Sequence, residues 1–412
     1  MYISKEITTA EKDLKSVFER IETIALENQN KVLVAFKKNR IALRHFAPTT
    51  GYGYDDIGRD TLCRLFADVF DTESAIVSPL IANGTHAIGT VLFGLLRPGD
   101  VMYSVTGNPY DTLMDVVTGE GIGSLRDFGI KFEKTDVDKN GKIDLQAVSD
   151  AIKTLKPSMI FIQRSRGYSW RSALSVDEIG EVVSVVRKHS DAPIVVDNCY
   201  GEFTDIIEPT SVGADVIVGS LIKNPGGGLA PTGGYIAGKK ALIDLIAGRL
   251  TAPGIGMEVG SYAYGYQYFY QGLFMAPHVV TQALKASALF SRVLGARGYE
   301  TLPKYSEKQN DIITSIKFKT KDELISFCQT IQTFSPIDSH VLPEPWDMPG
   351  YESQVIMAAG AFVQGSSIEL SADGPIREPY AVFFQGGLTW YHAKLGILMS
   401  VQKMYDAGLI KL

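Results

Sequence analysis

Between residues 75 and 238 the chain repeats an alternation that few folds accommodate: a short β-branched run, then a longer segment of helical period. The runs are AIVSP (75–79), VMYSV (101–105), IKFEKTDV (130–137), MIFIQ (159–163), PIVVD (193–197), DVIVGS (215–220) and GGYIAG (233–238). Helical candidates between them include THAIGTVLFGLL, DLQAVSDAIKTL and VDEIGEVVSVVRKH. Strands that alternate with helices imply βαβ units and a mostly parallel sheet covered on both faces. The runs are nearly all apolar, as strands covered on both sides should be. Open α/β sheets bind their ligands at the carboxyl ends of the strands, so the residues just after each run are where chemistry is sought.

The alternation accounts for less than half of the 412 residues. A charged amphipathic helical arm runs from the N-terminus to about Arg44, followed by the irregular APTTGYGYDDIGRD (47–60). A Gly/Tyr-rich stretch, 252–274, reads either as a packed surface excursion or as an active-site or subunit-contact loop. A helix over 281–298 leads into an α+β C-terminal part. The expected division is an N-terminal arm with an active-site or subunit-contact segment (1–60), a large domain (61–298) and a small C-terminal domain (299–412). A net charge of −6 with both signs interspersed and no basic block argues against nucleic acid. Cys63, Cys199 and Cys328 are far apart and form no C-x-x-C pair, so neither a disulfide framework nor a structural zinc site is expected. The N-terminus lacks the apolar core of a signal peptide. No stretch reaches the roughly 18 apolar residues of a membrane helix. A cytoplasmic protein without membrane association is expected.

Three segments at strand ends carry candidate chemistry. In IANGTHAIG (81–89), Gly84 and Thr85 open an apolar helix, whose free N–H groups and dipole suit a phosphate; a plain helix cap fits equally. In VVDNCYGEF (195–203), Asp197 ends a buried strand, where a carboxylate needs a partner such as a protonated ring nitrogen or a capped helix. In VGSLIKNPGGGLAPTGGYIAG (218–238), Lys223 precedes three glycines and follows Ser220 by three residues. A buried lysine amine becomes nucleophilic and can form an imine, and the glycines are expected to let the chain close about a planar cofactor. Lys223 follows Asp197 by 26 residues, room for one strand, which puts carboxylate and amine at the ends of successive strands.

Taken with YGYDDIGRD, GNPYDTL, IQRSRGYSWR and ELSADGPIREPY, these motifs resemble the aspartate-aminotransferase-type (fold type I) enzymes that use pyridoxal 5′-phosphate (PLP). Within them the match is to the cystathionine β-lyase/methionine γ-lyase superfamily and its bacterial "aluminum resistance protein" branch. The resemblance spans nearly the whole chain. It implies an aspartate-aminotransferase-like PLP-dependent transferase fold, α/β, with a small α+β domain. It also implies residue roles. Gly84, Thr85 and Ser220 would hold the phosphate, Tyr110 would stack on the ring, Asp197 would pair with the ring nitrogen, and Lys223 would form the Schiff base. Tyr54 and Arg59 resemble a Tyr/Arg pair that reaches the phosphate from a neighbouring subunit, which implies a homo-oligomer, dimer or tetramer, with shared active sites. Arg377 resembles an arginine that clamps the substrate carboxylate.

The chain also departs from the lyases. After its fourth strand it carries Gln163-Arg164-Ser165-Arg166-Gly167-Tyr168 in place of a Ser/Asn-Pro stretch, so Arg164 and Arg166 are candidates for binding a different substrate anion. The expected reaction is β- or γ-elimination at a carbon–sulfur bond of an amino acid, with Lys223 as general base. An aminotransferase, a PLP-binding protein with little turnover, and a nucleotide-binding α/β module remain open. TDVDKNGKIDLQAV imitates the start of an EF-hand but puts Ala147 where the bidentate Glu belongs, which leaves Asp144 as a helix cap. His86 is expected at a helix N-terminus.

Overall fold

The computed structural model describes residues 2–410; the first residue and the last two of the segments expected above lie outside it. Two helices form the N-terminal arm, α1 (Tyr2–Asp13) and α2 (Lys15–Lys38), and α3 (Ile57–Val69) leads into the first sheet. There follow β1 (Ser74–Ser78), α4 (Gly84–Leu95), β2 (Val101–Ser104), α5 (Asp111–Thr118), β3 (Lys131–Lys134), α6 (Leu145–Leu155), β4 (Met159–Gln163), α7 (Val176–Val186), β5 (Ile194–Asp197), β6 (Val216–Ser220) and β7 (Gly234–Gly238). All seven apolar runs are strands. Their spatial order is β1-β7-β6-β5-β4-β2-β3, parallel except for β7, which lies antiparallel between β1 and β6.

Except at the exposed edge strand β3, both faces of the sheet are buried, successive side chains pointing to opposite sides. On β4, Ile160 and Ile162 enter one apolar cluster while Met159 and Phe161 enter the other. Helix starts are fixed by side chains that accept the free N–H groups of the first turn. Asn83 caps α4, Ser175 and Glu178 form a reciprocal capping box on α7, and Asp144 accepts from Gln146 and Ala147 at the start of α6, as its sequence context suggests.

After α8 (Lys240–Leu250), the long α9 (Gln267–Gly295) starts fourteen residues earlier than the periodicity indicates. Gly272 and Pro277 mask its first half. Proline removes one helical hydrogen bond and glycine costs about 1 kcal/mol. Burial of Phe269, Tyr270, Leu273, Ala276 and Val280 outweighs both. Only 252–266 of the Gly/Tyr-rich stretch stays irregular.

A second, antiparallel sheet comprises β8 (Thr301–Leu302), β9 (Ile313–Lys317), β10 (Val355–Ala358), β11 (Ser371–Pro375) and β12 (Ala381–Gln385), in the order β10-β11-β12-β9-β8. The helices α10 (Lys321–Gln332) and α11 (Trp390–Asp406) belong to this part. Among the described residues, no helix is long and apolar enough to cross a membrane.

Candidate active site

The carboxyl ends of the parallel strands open onto a cavity of about 670 Å3, within the usual range for small-molecule sites. Gly84, Thr85, Tyr110, Asp197, Ser220 and Lys223 all line it. At the start of α4, His86 N–H donates to Asn83 Oδ1 at 2.8 Å and Ala87 N–H to the Asn83 carbonyl. The N–H groups of Gly84 and Thr85 come before these and have no acceptor inside the helix. A Cβ added to Gly84 would lie 3.6 Å from both Cys199 Sγ and Ser220 Cβ, so α4, β5 and β6 converge on one small space. His86 Nδ1 accepts the Ala82 N–H and serves that turn.

Tyr110 precedes α5. Gln163 Oε1 accepts its N–H at 2.8 Å, and its hydroxyl lies 2.9 Å from Thr85 Oγ1. Burial, then Asp197, push its phenol well above the ordinary range. Asp197 accepts the Cys199 N–H at 3.1 Å. Burial raises its pKa, and Lys223 works against that rise. Lys223 Nζ lies 4.1 Å from the centre of the Tyr200 ring. Burial disfavours its ammonium, but Cys199, Tyr200, Asp197 and Tyr110 outweigh burial and hold its pKa above the lysine range. Since burial keeps the thiol and phenols neutral at pH 7, Asp197 is the ionised partner that matters.

The glycines after Lys223 do something other than expected. A Cβ on Gly226 would fall 1.7 Å from the Leu221 carbonyl oxygen, and one on Gly227 2.3 Å from the Gly272 carbonyl oxygen. A Cβ on Gly228 would meet Leu388. They seat the lysine loop against α9 and the second sheet's approach rather than about a cofactor.

Arg166 and Arg164 do not behave as substrate ligands. Arg166 is buried; it donates to the Leu302 carbonyl at 2.7 Å and Ser315 Oγ at 3.2 Å, and pairs with Asp311 at 3.3 Å. Arg164, also buried, donates to Asn198 Oδ1 and the Gly201 carbonyl and pairs with Glu208 at 3.6 Å. A buried guanidinium must be paired, and each is, with a protein carboxylate. Neither lines the cavity, which corrects the expectation that they bind a substrate anion. Arg377 is exposed at the turn after β11 and is absent from the lining, although it lies close enough to Asp111 to offset the effect of burial there. Tyr54 is exposed and stacked on Tyr52, and Arg59 is buried, donating to the Gly53 carbonyl and pairing with Asp60. Neither lines the cavity of its own chain.

Sequence reasoning missed the wall opposite Lys223. Register places Met357 of β10 across from Asp373 of β11, Asp373 across from Phe383 of β12, Ser371 across from Gln385, and Gln385 across from Ile313 of β9. All six line the cavity, so one face of the second sheet forms that wall. Asp373 Oδ1 accepts from Gln385 Nε2 at 2.9 Å, and Tyr168 also hydrogen-bonds its carboxyl. Burial pushes Asp373 up to about 6. The signal was present in the period-2 spacing of SADGP and AVFFQ, where an acid and an amide fall on the face that lines the cavity.

The donor set fits PLP: a helix N-terminus with free N–H groups and a hydroxyl for a phosphate, a buried carboxylate for a ring nitrogen, and a half-buried amine facing the cavity for an aldehyde. Comparison with known proteins agrees. A family model described as methionine gamma-lyase matches residues 3–405. The uncharacterized protein YnbB of Bacillus subtilis (strain 168) is 50% identical over 412 residues, 99% of this chain and 98% of its own length. The solved structure of a carbon-sulfur lyase involved in aluminum resistance from Clostridium novyi NT is 52% identical, covering 98% of this chain and 96% of that one, with a TM-score of 0.94. The PLP-dependent protein YhfS from Escherichia coli, 16% identical over 92% of this chain and 96% of its own with a TM-score of 0.63, shares the fold.

Proposed function

Because the chain belongs to the methionine gamma-lyase family, a PLP-dependent one, we propose that it is a carbon–sulfur lyase that eliminates a sulfur leaving group from Cβ or Cγ of an amino acid. The observation that carries the reading is the convergence of Lys223, Asp197, Tyr110 and the α4 N-terminus on one cavity. Gly84 and Thr85 N–H groups with the Ser220 hydroxyl would hold the phosphate, Tyr110 would flank the ring, Asp197 would hold a proton at the ring nitrogen, and Lys223 Nζ would hold the aldehyde carbon. When bound, the cofactor supplies an electron sink for the pair left at Cα. Lys223 Nζ would then serve as the general base for the Cα proton. The Tyr200 ring covers that amine on one side.

A second copy of the chain completes this proposal, with exposed Tyr54 presented to the neighbouring site. Arg59 stays within its own chain as the anchor of that segment, and Arg377 closes on the substrate carboxylate from the cavity mouth beside Asp111. Mixing inactive Lys223→Ala and inactive Tyr54→Phe chains should restore activity if sites are shared, and leave the mixture inactive if each chain is self-sufficient.

The direct test is the visible spectrum of the purified protein, followed by borohydride reduction and mapping of the adduct. An adduct on a different lysine, or none, defeats the assignment. Sulfur amino acids should then yield pyruvate or 2-oxobutyrate with ammonia. Amino transfer that requires a keto acid would instead identify an aminotransferase.

A further inference from the structure

We propose that Asp373, with Gln385, selects an amino acid whose side chain ends in a cationic group such as an ammonium. The inference rests on the lyase reading above and narrows its substrate class. The cavity lining holds three carboxylates, Asp111, Asp197 and Asp373, and one cation, Lys223, among the described residues. Two of the carboxylates have cations nearby: Lys223 for Asp197 and Arg377 for Asp111. Asp373 is faced by neutral groups alone: Tyr168, Gln385, Tyr200, Tyr351 and the Cys328 thiol.

The second observation is a count of hydrogen-bond partners. An ionised carboxylate can only accept, so Gln385 must turn its amide nitrogen towards Asp373. That leaves Gln385 Oε1, an acceptor, buried with no partner. Gln385 is 7% exposed and lines the cavity. Ser371 Oγ on the paired strand and Ser366 Oγ are likewise buried, unpartnered and in residues of the lining. Buried polar groups are normally satisfied, so this wall is short of partners, and Gln385 Oε1 specifically lacks a donor. An ammonium provides three donors and the missing positive charge. Beside the polar patch stand Met357, Phe383 and Ile313, apolar company for the methylene and thioether stem that joins such a group to the reacting carbons.

The test compares S-(2-aminoethyl)cysteine with S-propylcysteine, which replaces the terminal ammonium by methyl at nearly equal size. The holoenzyme is titrated with each while its visible band is followed, giving dissociation constants that do not depend on turnover, and kcat and KM are measured alongside. The expected result is at least tenfold tighter binding and lower KM for the aminoethyl compound. In Asp373→Asn the ratio of the two affinities should fall to about one, the aminoethyl compound losing far more than S-propylcysteine. Equal affinity in the wild type, or equal losses for both ligands in the variant, overturns the proposal with the lyase reading intact. A protein without a visible band, or whose band answers to neither ligand, overturns both.

Discussion

The amine of Lys223 lies over the face of Tyr200, 4.1 Å from the ring centre. The ring's negative face favours the ammonium by about 0.5–2 kcal/mol, and Asp197 acts in the same sense. The amine must lose its proton before it can attack an aldehyde. Reconstitution of cofactor-free protein with PLP should therefore speed up as pH rises. Tyr200→Leu should lower the amine pKa and move that rate profile to lower pH, whereas Tyr200→Phe keeps the ring and should move it little. Stopped-flow absorbance on adding PLP reads the profile, and an unmoved profile in the leucine variant contradicts the assignment.

Arg166→Ala should be a stability variant. Its loss leaves Asp311 buried and unpaired, at a cost of about 3–5 kcal/mol. The urea midpoint should fall sharply, while KM for sulfur amino acids in the folded fraction stays within about twofold. A large KM change at unchanged stability would return Arg166 to the substrate.

Gly226→Ala places a methyl group 1.7 Å from the Leu221 carbonyl oxygen, a backbone atom that cannot yield as a flexible side chain would. The turn from Leu221 to Ala230 that carries Lys223 must then open. A loss of about 1–3 kcal/mol is expected by thermal melting, with weaker retention of the cofactor on dialysis.

Glu202 lies under the sheet, fully buried, taking the Tyr235 hydroxyl proton donor at 2.9 Å on one oxygen and no partner on the other. Burial pushes its pKa to about 8. In the unfolded chain it ionises near 4.3, so between about pH 4.5 and 8 the unfolded state sheds a proton that the folded state keeps. Glu202 thus contributes full stability below about pH 4.5 and loses it progressively up to about pH 8. Glu202→Gln should flatten that decline, raising the urea midpoint at pH 8 relative to pH 5. Parallel midpoints for variant and wild type across this range would show the carboxyl ionised throughout.

The first sheet and the cofactor end of the cavity were legible because both are written locally. A strand covered on both faces is apolar throughout, and its last residue names the site, as Asp197 and Ser220 do. Arg166 misled because an arginine after a strand looks the same whether it meets a ligand or Asp311, 145 residues on. The start of α9 was hidden by Gly272 and Pro277, whose local costs are offset only by distant packing. Asp373 and Gln385 went unread because their meaning depends on strand register, which sets Ser371 against Gln385 and puts the acid on the cavity face.

The cavity is walled by two sheets that share no strand. The strand ends of one carry the amine and the helix N-terminus; the flat face of the other carries Met357, Asp373 and Gln385. Chemistry and discrimination are therefore encoded in separate stretches of sequence. Exchanges at positions 357, 373 and 385 can redirect this protein to a new side chain through inheritance of a single untouched reaction centre, and a lineage of such chains would differ in diet long before it differed in catalysis.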